Sequence, residues 1–335
     1  MRGSHLSWFI CPDCGSSELE LLPYEAKEDD VCEGCVRCKD CGVWYRIHNG
    51  VLDLLPVRLR RMDLYAAFAV KHGLRLGDTS DASLSPDAGI SEQIDFFKED
   101  ADEYEKTVVN SPYYKALDRI AFLDWMGRFL KPYELVLDLG CGTGRQSIPF
   151  AEHGLTSCAI DISEEMLQLA RQKASRLGLA EKIDLVVADA HNPPVKDGIF
   201  TACIIYGTLH HLPRPDLAIR NASKKLATGG RFYTLDPHNS PVRFMFDWAM
   251  KVWRLYDEKA SDAPLLTTEM LERWLLEAGL RSTVRLSTYL PPHLFALLPA
   301  GARAMVLQAT DTLLFRIPGI RSWGGVIISE GAKIT

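Results

Sequence analysis

The sequence of 335 residues has no long apolar run, little net charge and no internal repeat. No stretch of 18 uncharged apolar residues is free of proline, which argues against a membrane-spanning helix. The chain does not open with a basic start followed by an apolar centre, so we predict no secretory signal and expect a cytoplasmic protein. The first residues, MRGSH, resemble a tag remnant and are left out of the fold prediction. The net charge of −6 provides no overall attraction to nucleic acid.

Cysteine is the residue with an unusual distribution, because six of the nine cysteines lie before residue 42. In a reducing compartment such a cluster is better suited to metal than to disulfides. Two Cys-x-x-Cys turns, each followed by glycine, have the spacing of a zinc ribbon, in which four thiolates hold tetrahedral Zn²⁺. The sequence therefore predicts a ribbon over residues 6–57 with a structural zinc ion on four ligands: Cys11, Cys14, Cys38 and Cys41.

A competing choice of ligands exists within the same cluster, since Cys32 and Cys35 form a further Cys-x-x-Cys pair. We prefer Cys38 and Cys41, because Gly42 follows them and the alternating segment VWYRI comes next. Residues 1–57 also hold five Lys or Arg against ten Asp or Glu, so the ribbon would be repelled by a phosphate backbone.

A linker is predicted over residues 58–91, between the ribbon and a larger domain over residues 92–335. It begins with three arginines, Arg58, Arg60 and Arg61, which we interpret as a solvated helix face. Eleven of the fifteen residues from 77 to 91 are Gly, Ser, Thr, Asp or Pro, a composition typical of a flexible boundary.

From residue 134 onward, apolar strands alternate with amphipathic helices, which predicts an α/β fold with a doubly wound parallel sheet. Ligands of such sheets bind beyond the carboxyl ends of the strands. The polar residues that end the first three strands are Asp138, Asp161 and Asp189. We therefore expect the ligand site beside these three carboxylates.

The first of these strands leads into a turn with three glycines, Gly140, Gly142 and Gly144. The spacing is Gly-x-Gly-x-Gly, which differs from the dinucleotide fingerprint and lacks the Gly-Lys of a triphosphate-binding loop. An acid ahead of the first glycine would repel a pyrophosphate. Asp138 would instead suit a cationic ligand.

Four ordered segments, LDLGCGTG, AIDIS, VVADAHNPPVKDGIFTACIIYGTLHHLPRP and LATGGRFYTLDP, resemble the motifs of class I S-adenosylmethionine methyltransferases. The resemblance covers roughly residues 95–290 and implies a seven-stranded Rossmann-like sheet. It also implies S-adenosylmethionine as the cofactor. On this basis the amino acid moiety and the sulfonium would be faced by Asp138 and the three glycines. The ribose hydroxyls would be bound by Asp161, and the adenine would contact Asp189 and Ala190.

The residues after the fourth strand of this family fold flank the transferred methyl group, which the resemblance assigns here to Tyr206 and Gly207. His210 and His211 follow directly, and His238 comes after the fifth strand. Imidazole titrates near neutral pH and can take a proton from a hydroxyl. The three histidines are therefore our candidate general bases, with His210 first, and a structural role in the loop is the alternative.

An apolar insertion at about residues 291–320 contains several prolines, which we expect to break it into short helices. From residue 289 to 318 its only charges are Arg303, Asp311 and Arg316. The sheet, a second subunit, a bilayer surface or an apolar substrate could cover so much apolar surface. We predict methyl transfer to a hydroxyl of a small apolar or lipid-like acceptor.

Two alternatives remain open at this point. A zinc ribbon ahead of a methyltransferase domain is similar to the bacterial ribosomal RNA guanine-N1 methyltransferases, in which the ribbon helps to grip RNA. The acidic ribbon and the apolar insertion depart from that family, so nucleic acid is the less favoured partner. The other alternative is a non-catalytic scaffold that binds S-adenosylmethionine.

Overall fold

The computed structural model describes residues 1–75, 104–245, 248, 265–289 and 298–334. The strands are β1 Leu19–Lys27, β2 Asp30–Cys38, β3 Trp44–His48, β4 Val51–Asp53, β5 Leu135–Leu139, β6 Thr156–Asp161, β7 Ile183–Val187, β8 Phe200–Tyr206, β9 Leu226–Pro237, β10 Leu280–Ser287 and β11 Val326–Lys333. The α-helices are α1 Met62–His72, α2 Pro112–Leu117, α3 Asp124–Phe129, α4 Ser147–Glu152, α5 Glu164–Arg176, α6 Pro215–Lys225, α7 Thr268–Glu277 and α8 Ala300–Leu314. Strands β5 to β11 are the seven that the sequence predicts, and the ribbon supplies the other four.

The described residues divide into two compact units. Those of Met1–Ala101 and Leu137–Ile199 form the N-terminal unit, and those of Asp102–Val136 and Phe200–Thr335 form the C-terminal unit. The boundary segment from 77 to 91 lies outside the described residues. The division into a ribbon, a linker and a methyltransferase domain stays a prediction.

The strands of the N-terminal unit lie in the order β1-β2-β3-β4-β7-β6-β5. Strands β1 to β4 are antiparallel neighbours, whereas β4 pairs in parallel with β7, with Val51 opposite Leu185. Strand β6 also runs parallel to β7. The last strand of the ribbon therefore extends the parallel sheet of the predicted methyltransferase domain.

One hydrophobic core contains residues from both the ribbon and the parallel sheet of this unit. It contains Val51 and Leu55 from the end of the ribbon, Leu167 and Ala170 from α5, and Leu185 from β7. A module of about fifty residues buries little apolar surface by itself. This shared core compensates for that shortage, so the ribbon is packed onto the sheet rather than tethered to it.

The first five residues belong to the fold, contrary to our exclusion of them. The ammonium group of Met1 donates to the carbonyl of Gly50 at 2.7 Å. The amide of Arg2 donates to Asp184 Oδ1 at 2.8 Å, and His5 Nδ1 lies 2.5 Å from Asp184 Oδ2. These residues therefore fasten the ribbon to the start of β7.

The arginines after the ribbon are also bound more tightly than predicted. The Arg60 guanidinium lies 4.6 Å from the ring of Tyr45 and 4.5 Å from that of Tyr65. Arg61 donates to Glu165 at 2.6 Å, and Arg58 alone is exposed. The predicted solvated helix face is thus wrong for Arg60 and Arg61.

The strands of the C-terminal unit lie in the order β8-β9-β11-β10. Strands β8 and β9 are parallel, whereas β11 is antiparallel to both of its neighbours. Helix α8 occupies half of the apolar insertion as one continuous helix, so the predicted break into short helices is wrong for residues 300–314.

Candidate metal centre and cofactor site

Four cysteine thiols meet at one end of the ribbon, on the two turns that the sequence singles out. The sulfurs of Cys11, Cys14, Cys38 and Cys41 all lie within 4.8 Å of one another. Two of the pairs, Cys11 with Cys41 and Cys14 with Cys38, are 3.6 Å apart. Tetrahedral zinc with Zn–S bonds of about 2.3 Å requires sulfurs roughly 3.8 Å apart. The cluster is therefore compatible with a structural zinc ion.

The glycine after each pair has a definite geometric role. Gly15 and Gly42 adopt φ angles of 76° and 75°. The amide of Gly15 donates to the carbonyl of Cys11 at 2.8 Å, and that of Gly42 to the carbonyl of Cys38 at 3.0 Å. A left-handed residue closes each turn, and glycine adopts that conformation without steric cost.

The competing pair, Cys32 and Cys35, lies on strand β2 and outside this cluster. The Cys35 thiol is buried and lies 3.2 Å from the hydroxyl of Tyr24.

Within the cluster, burial raises the pKa of the Cys38 thiol, but the amides of Cys41 and Asp40 outweigh this effect and lower that pKa to about 7. A thiol that ionises near neutral pH is suited to metal binding.

The cofactor site predicted from the sequence begins at Asp138, near the end of β5. This carboxyl group is buried, and the hydroxyl of Ser147 donates to its Oδ2 at 2.6 Å. Its Oδ1 has no hydrogen-bond partner among the described residues. Burial raises the pKa of Asp138 to about 7, and the neighbouring carboxylate of Asp161 adds to the effect. A cationic ligand would satisfy both the unpartnered oxygen and the buried charge.

The three glycines after Asp138 all adopt left-handed conformations, with φ angles of 74°, 52° and 80° for Gly140, Gly142 and Gly144. A side chain at Gly144 would also come within 3.3 Å of Ala170 on α5. The turn between β5 and α4 therefore needs glycine for its backbone and for close packing of α5.

Asp161, at the end of β6, braces the same turn. Its Oδ2 accepts from the amide of Gly142 at 2.8 Å, and its Oδ1 accepts from the amide of Ser163 at 2.9 Å. Two accepted bonds leave lone pairs on both oxygens, so the carboxylate can still accept from ribose hydroxyls. Asp161 therefore fits the role that the family resemblance implies.

Asp189 follows β7 and is mostly buried. Its Oδ1 accepts from the amide of His191 at 2.9 Å, and the ring Nδ1 of His191 lies 2.6 Å away. Ala190 is 9% exposed. The N-terminal unit thus brings Asp138, Asp161 and Asp189 to the carboxyl ends of neighbouring strands, as expected of a parallel sheet.

The sequence prediction missed one charged cluster near this site. Arg46 on β3 pairs with Asp53 at 3.3 Å and also with Glu164, the first residue of α5. Arg61 binds Glu165 beside it. The ribbon and the segment after it therefore form ion pairs with the first turn of α5, the helix that follows Asp161. No local pattern identifies such a triad, because Glu164 lies more than a hundred residues from Arg46 and Asp53 in sequence.

In the C-terminal unit, Tyr206 ends β8 and its hydroxyl donates to Asp118 Oδ1 at 2.6 Å. The tyrosine is buried at the edge of an aromatic group that includes Phe122 and Tyr233. Gly207 follows with a φ angle of 63°, and its amide donates to the carbonyl of Leu235 at 2.7 Å. These contacts fix the chain where it leaves the strand.

His210 lies in the next turn and is oriented by an acid that the sequence prediction missed. Its Nδ1 lies 2.8 Å from Asp236 Oδ1, and its amide donates to the same oxygen at 3.2 Å. Asp236 is fully buried and also accepts from Thr234 Oγ1 at 3.1 Å. The signal was available, because Asp236 is a polar residue near the end of an apolar strand, as are the three acids of the N-terminal unit.

The other two histidines occupy different surroundings. The His211 ring lies 3.8 Å from that of His210, centre to centre, and His211 is partly exposed. His238 is buried, with Nδ1 2.7 Å from the carbonyl of Gly324. Burial lowers the pKa of His238 below its usual value. His210 is in contact with a carboxylate, the arrangement typical of an oriented base.

The glycine turn, the acids that end β5 and β6, and the parallel strands are the features expected of a class I S-adenosylmethionine-dependent methyltransferase domain. Comparison with known families agrees, because residues 137–234 match the family model described as a methyltransferase domain. The two carboxylates at the turn fit the cofactor. Asp138 suits an ammonium and a sulfonium group, and Asp161 can accept hydrogen bonds from ribose hydroxyls. S-adenosylmethionine is the cofactor of this fold.

Two curated relatives illustrate the similarity. The ubiquinone/menaquinone biosynthesis C-methyltransferase UbiE of Bartonella tribocorum is 29% identical over 162 residues, which cover 47% of this chain and 60% of the relative. The sterol 4-C-methyltransferase strm-1 of Caenorhabditis elegans is 25% identical over 100 residues, 30% of each chain. The chain thus spans somewhat more than half the length of the UbiE protein that it matches.

Among solved structures, the YcgJ protein from Bacillus subtilis aligns with a TM-score of 0.46 and 16% identity, covering 64% of this chain and 97% of that one. Geranyl diphosphate C-methyltransferase from Streptomyces coelicolor aligns with a TM-score of 0.46 and 14% identity, covering 63% and 74%. Within the described residues, no helix is both long and apolar enough to cross a membrane.

Proposed function

We propose that the protein transfers a methyl group from S-adenosylmethionine to a small, apolar, lipid-like acceptor. The observation that carries this proposal is the buried Asp138, whose Oδ1 has no hydrogen-bond partner among the described residues, at the start of a turn of left-handed glycines. A buried carboxylate without a cation is costly, and a ligand that brings an ammonium and a sulfonium removes that cost.

The residues of the N-terminal unit bind and orient the cofactor in this proposal. Asp138 would face its cationic groups, Asp161 would accept from its ribose hydroxyls, and Asp189 with Ala190 would hold its adenine. When bound, the cofactor supplies a methyl group on a positively charged sulfur. The protein then has to align the acceptor with that methyl group and exclude water from it.

The residues after β8 would position the acceptor and take its proton. Tyr206 and Gly207 flank the methyl group in the family that the chain resembles, and His210 follows in the next turn. His210 would take the proton that an acceptor hydroxyl gives up when its oxygen receives the methyl group. Asp236 holds the ring through Nδ1, so that the other nitrogen is the one that accepts the proton. His211 and His238 are the second and third candidates for this role.

Support for an apolar acceptor comes from the apolar insertion and from the relatives. Quinone and sterol methyltransferases are named among the curated matches, and both names specify methyl transfer to carbon. Carbon is therefore the second candidate for the acceptor atom beside oxygen. In either case the acceptor must lose a proton, and an oriented imidazole serves both reactions.

The RNA alternative has less support than the sequence analysis gave it. A ribbon that grips RNA needs free basic side chains, but in the basic cluster that follows it Arg60 stacks between two tyrosines and Arg61 is paired with Glu165. Both guanidinium groups are thus engaged within the chain, which leaves Arg58 as the exposed member of the cluster. A ribbon with an excess of acids is poorly suited to phosphate.

The experiment combines cofactor binding with capture of the acceptor. The purified full chain, with S-adenosylmethionine labelled on the methyl group, is incubated with a cell lysate that is then separated into organic, RNA and protein fractions. We expect label in the organic fraction with wild type and at least about tenfold less with His210→Ala. Label on RNA would overturn the proposed acceptor, and tight cofactor binding without any transfer would favour the scaffold alternative.

A further inference from the structure

Large apolar side chains are exposed in two short stretches of the C-terminal unit. We call seven of them the apolar patch: Phe244, Met245, Trp248, Leu313, Phe315, Ile317 and Trp323. Phe244 is 73% exposed and Leu313 is 64% exposed, so these side chains have no cover within the described part of the chain. Single exposed apolar residues are common, but a group rich in aromatic side chains marks an interaction surface.

The two stretches are neighbours in the fold. His238 lies just before the helical residues 241–245, and its Nδ1 is 2.7 Å from the carbonyl of Gly324. Its amide donates to the carbonyl of Gly325 at 2.9 Å. A side chain built at Gly325 would meet Val242 at 3.3 Å. The residues around Phe244 and those around Trp323 therefore belong to one region of this unit.

The charges in the second of these stretches, residues 312–329, are all positive. From residue 312 to 329 the sequence contains no acid, and its only charges are Arg316 and Arg321. Both are exposed, and neither forms an ion pair with a described residue. The nearest preceding acid, Asp311, points inward, where it accepts from the amide of Thr288 at 3.0 Å and from the hydroxyl of Ser287. This stretch therefore carries two positive charges that no acid among the described residues pairs with.

The backbone of this segment is held in place, so the charges have a defined position. The hydroxyl of Tyr289 donates to the carbonyl of Arg321 at 2.8 Å, and the amide of Gly325 donates to the carbonyl of Thr288 at 2.9 Å. Helix α8 ends at Leu314, and a series of turns carries the chain on to Trp323. Aromatic, aliphatic and arginine side chains thus project from one ordered helix end.

We propose that the apolar patch docks the protein onto the surface of an anionic lipid bilayer. Phe, Leu and Ile side chains bury in the boundary between headgroups and acyl chains, Trp prefers that boundary, and arginines reach lipid phosphates. A second copy of the chain fits less well, because a two-fold contact would bring the four arginines together. This inference goes beyond the proposed function and does not depend on methyl transfer.

The test is sedimentation of the full chain with vesicles of phosphatidylcholine, with or without about 30% phosphatidylglycerol, because the attraction depends on anionic lipid. Wild type should sediment with the anionic vesicles and much less with the neutral ones. The double variant Arg316→Glu/Arg321→Glu should reduce the bound fraction by about tenfold or more, since each charge near the surface counts. Phe315→Ser/Ile317→Ser should reduce it on neutral and anionic vesicles alike.

Leu276→Ser is the matched control, because Leu276 is a 74% exposed leucine on α7, outside the patch, and its loss should leave vesicle binding unchanged. Equal sedimentation of wild type and the double arginine variant would overturn the proposal. A second outcome would also overturn it: wild type does not bind vesicles and is a dimer, and Phe315→Ser/Ile317→Ser converts that dimer to a monomer. S-adenosylmethionine binding is measured for every variant, so a failure of methyl transfer is distinguished from a failure of docking.

Discussion

The Nδ1 atom of His210 and the Oδ1 atom of Asp236 are 2.8 Å apart in the interior of the C-terminal unit, where the carboxylate is fully buried. The pair joins the turn after β8 to the end of β9. A carboxylate in this position fixes the ring and stabilises the protonated imidazole. The dyad therefore gives the first prediction.

Asp236→Asn should lower kcat by on the order of 10² or more, because the amide supports the wrong tautomer and does not stabilise the charged ring. The affinity for S-adenosylmethionine should stay the same, which separates this effect from unfolding. The measurement is kcat across pH at saturating substrates, with His211→Gln measured alongside. Near-wild-type turnover of Asp236→Asn at every pH would contradict the role of the dyad, and Asp124→Asn, at an exposed acid on α3, is the neutral control because His211 is itself a candidate base.

Asp138 gives a prediction about pH. Burial raises its pKa to about 7, whereas an unfolded Asp titrates near ~3.9. Between these values the folded state holds a proton that the unfolded state has lost, so this group makes the free protein less stable as pH rises from about 4 to 7. Cofactor binding should show the opposite trend, because a cationic ligand requires the ionised carboxylate.

The dissociation constant for S-adenosylmethionine should fall about tenfold between pH 6 and 8 in wild type, as expected for a group that titrates near the middle of this range. Asp138→Asn should bind more weakly and with little pH dependence, and its free form should lose the corresponding pH dependence of stability. Calorimetric titration at several pH values measures the first effect, and urea unfolding measures the second. An unchanged pH profile in Asp138→Asn would show that another group is responsible.

The parts of this fold that local patterns encode could be predicted from the sequence. Strands β5 to β11 follow from apolar periodicity, and Asp138 and Asp161 are recognisable because polar residues end apolar strands. The choice of Cys38 over Cys35 rested on a trailing glycine, and Gly42 does adopt the left-handed conformation that closes the turn. In each case the determining residues lie within a few positions of one another.

The features that were missed depend on pairings between distant segments. Val51 of β4 pairs with Leu185 of β7, and nothing in the short segment VLD specifies a parallel partner so far along the chain. The burial of Arg60 depends on rings from β3 and α1, and an isolated basic cluster gives no hint of them. Asp236 is recognisable in the sequence as an acid near the end of a strand. Its pairing with His210 depends on β8 and β9 being neighbours in the sheet, which the sequence does not specify.

Removal of the metal should destabilise the N-terminal unit as a whole. Because β4 and the shared core join the ribbon to the parallel sheet, loss of zinc is expected to lower the melting temperature and to weaken cofactor binding. Cys14→Ser should reproduce the effect of a strong chelator, whereas Cys32→Ser, outside the cluster, should resemble wild type. The measurements are zinc content, thermal unfolding and binding of S-adenosylmethionine. Equal zinc content in both variants would contradict the assigned ligands.

Arg46 gives the last prediction, because it is a buried cation between two acids. Its side chain and that of Asp53 are each 5% exposed, and Glu164 completes the triad at the start of α5. Arg46→Met leaves Asp53 without a countercharge in the interior, which should cost roughly 3–5 kcal/mol of unfolding free energy. Arg61→Met is the matched control, because its pair with Glu165 is partly exposed and should be worth about 1 kcal/mol or less.

The double variant Arg46→Met/Asp53→Leu distinguishes an unpaired buried charge from a simple loss of packing. If the unpaired carboxylate causes the instability, removal of both charges should restore a large part of the lost stability, since apolar side chains of similar volume replace buried ion pairs well. Urea unfolding of the four proteins, including wild type, measures the coupling free energy. A double variant as unstable as the sum of its single variants would show that Arg46 and Asp53 act independently.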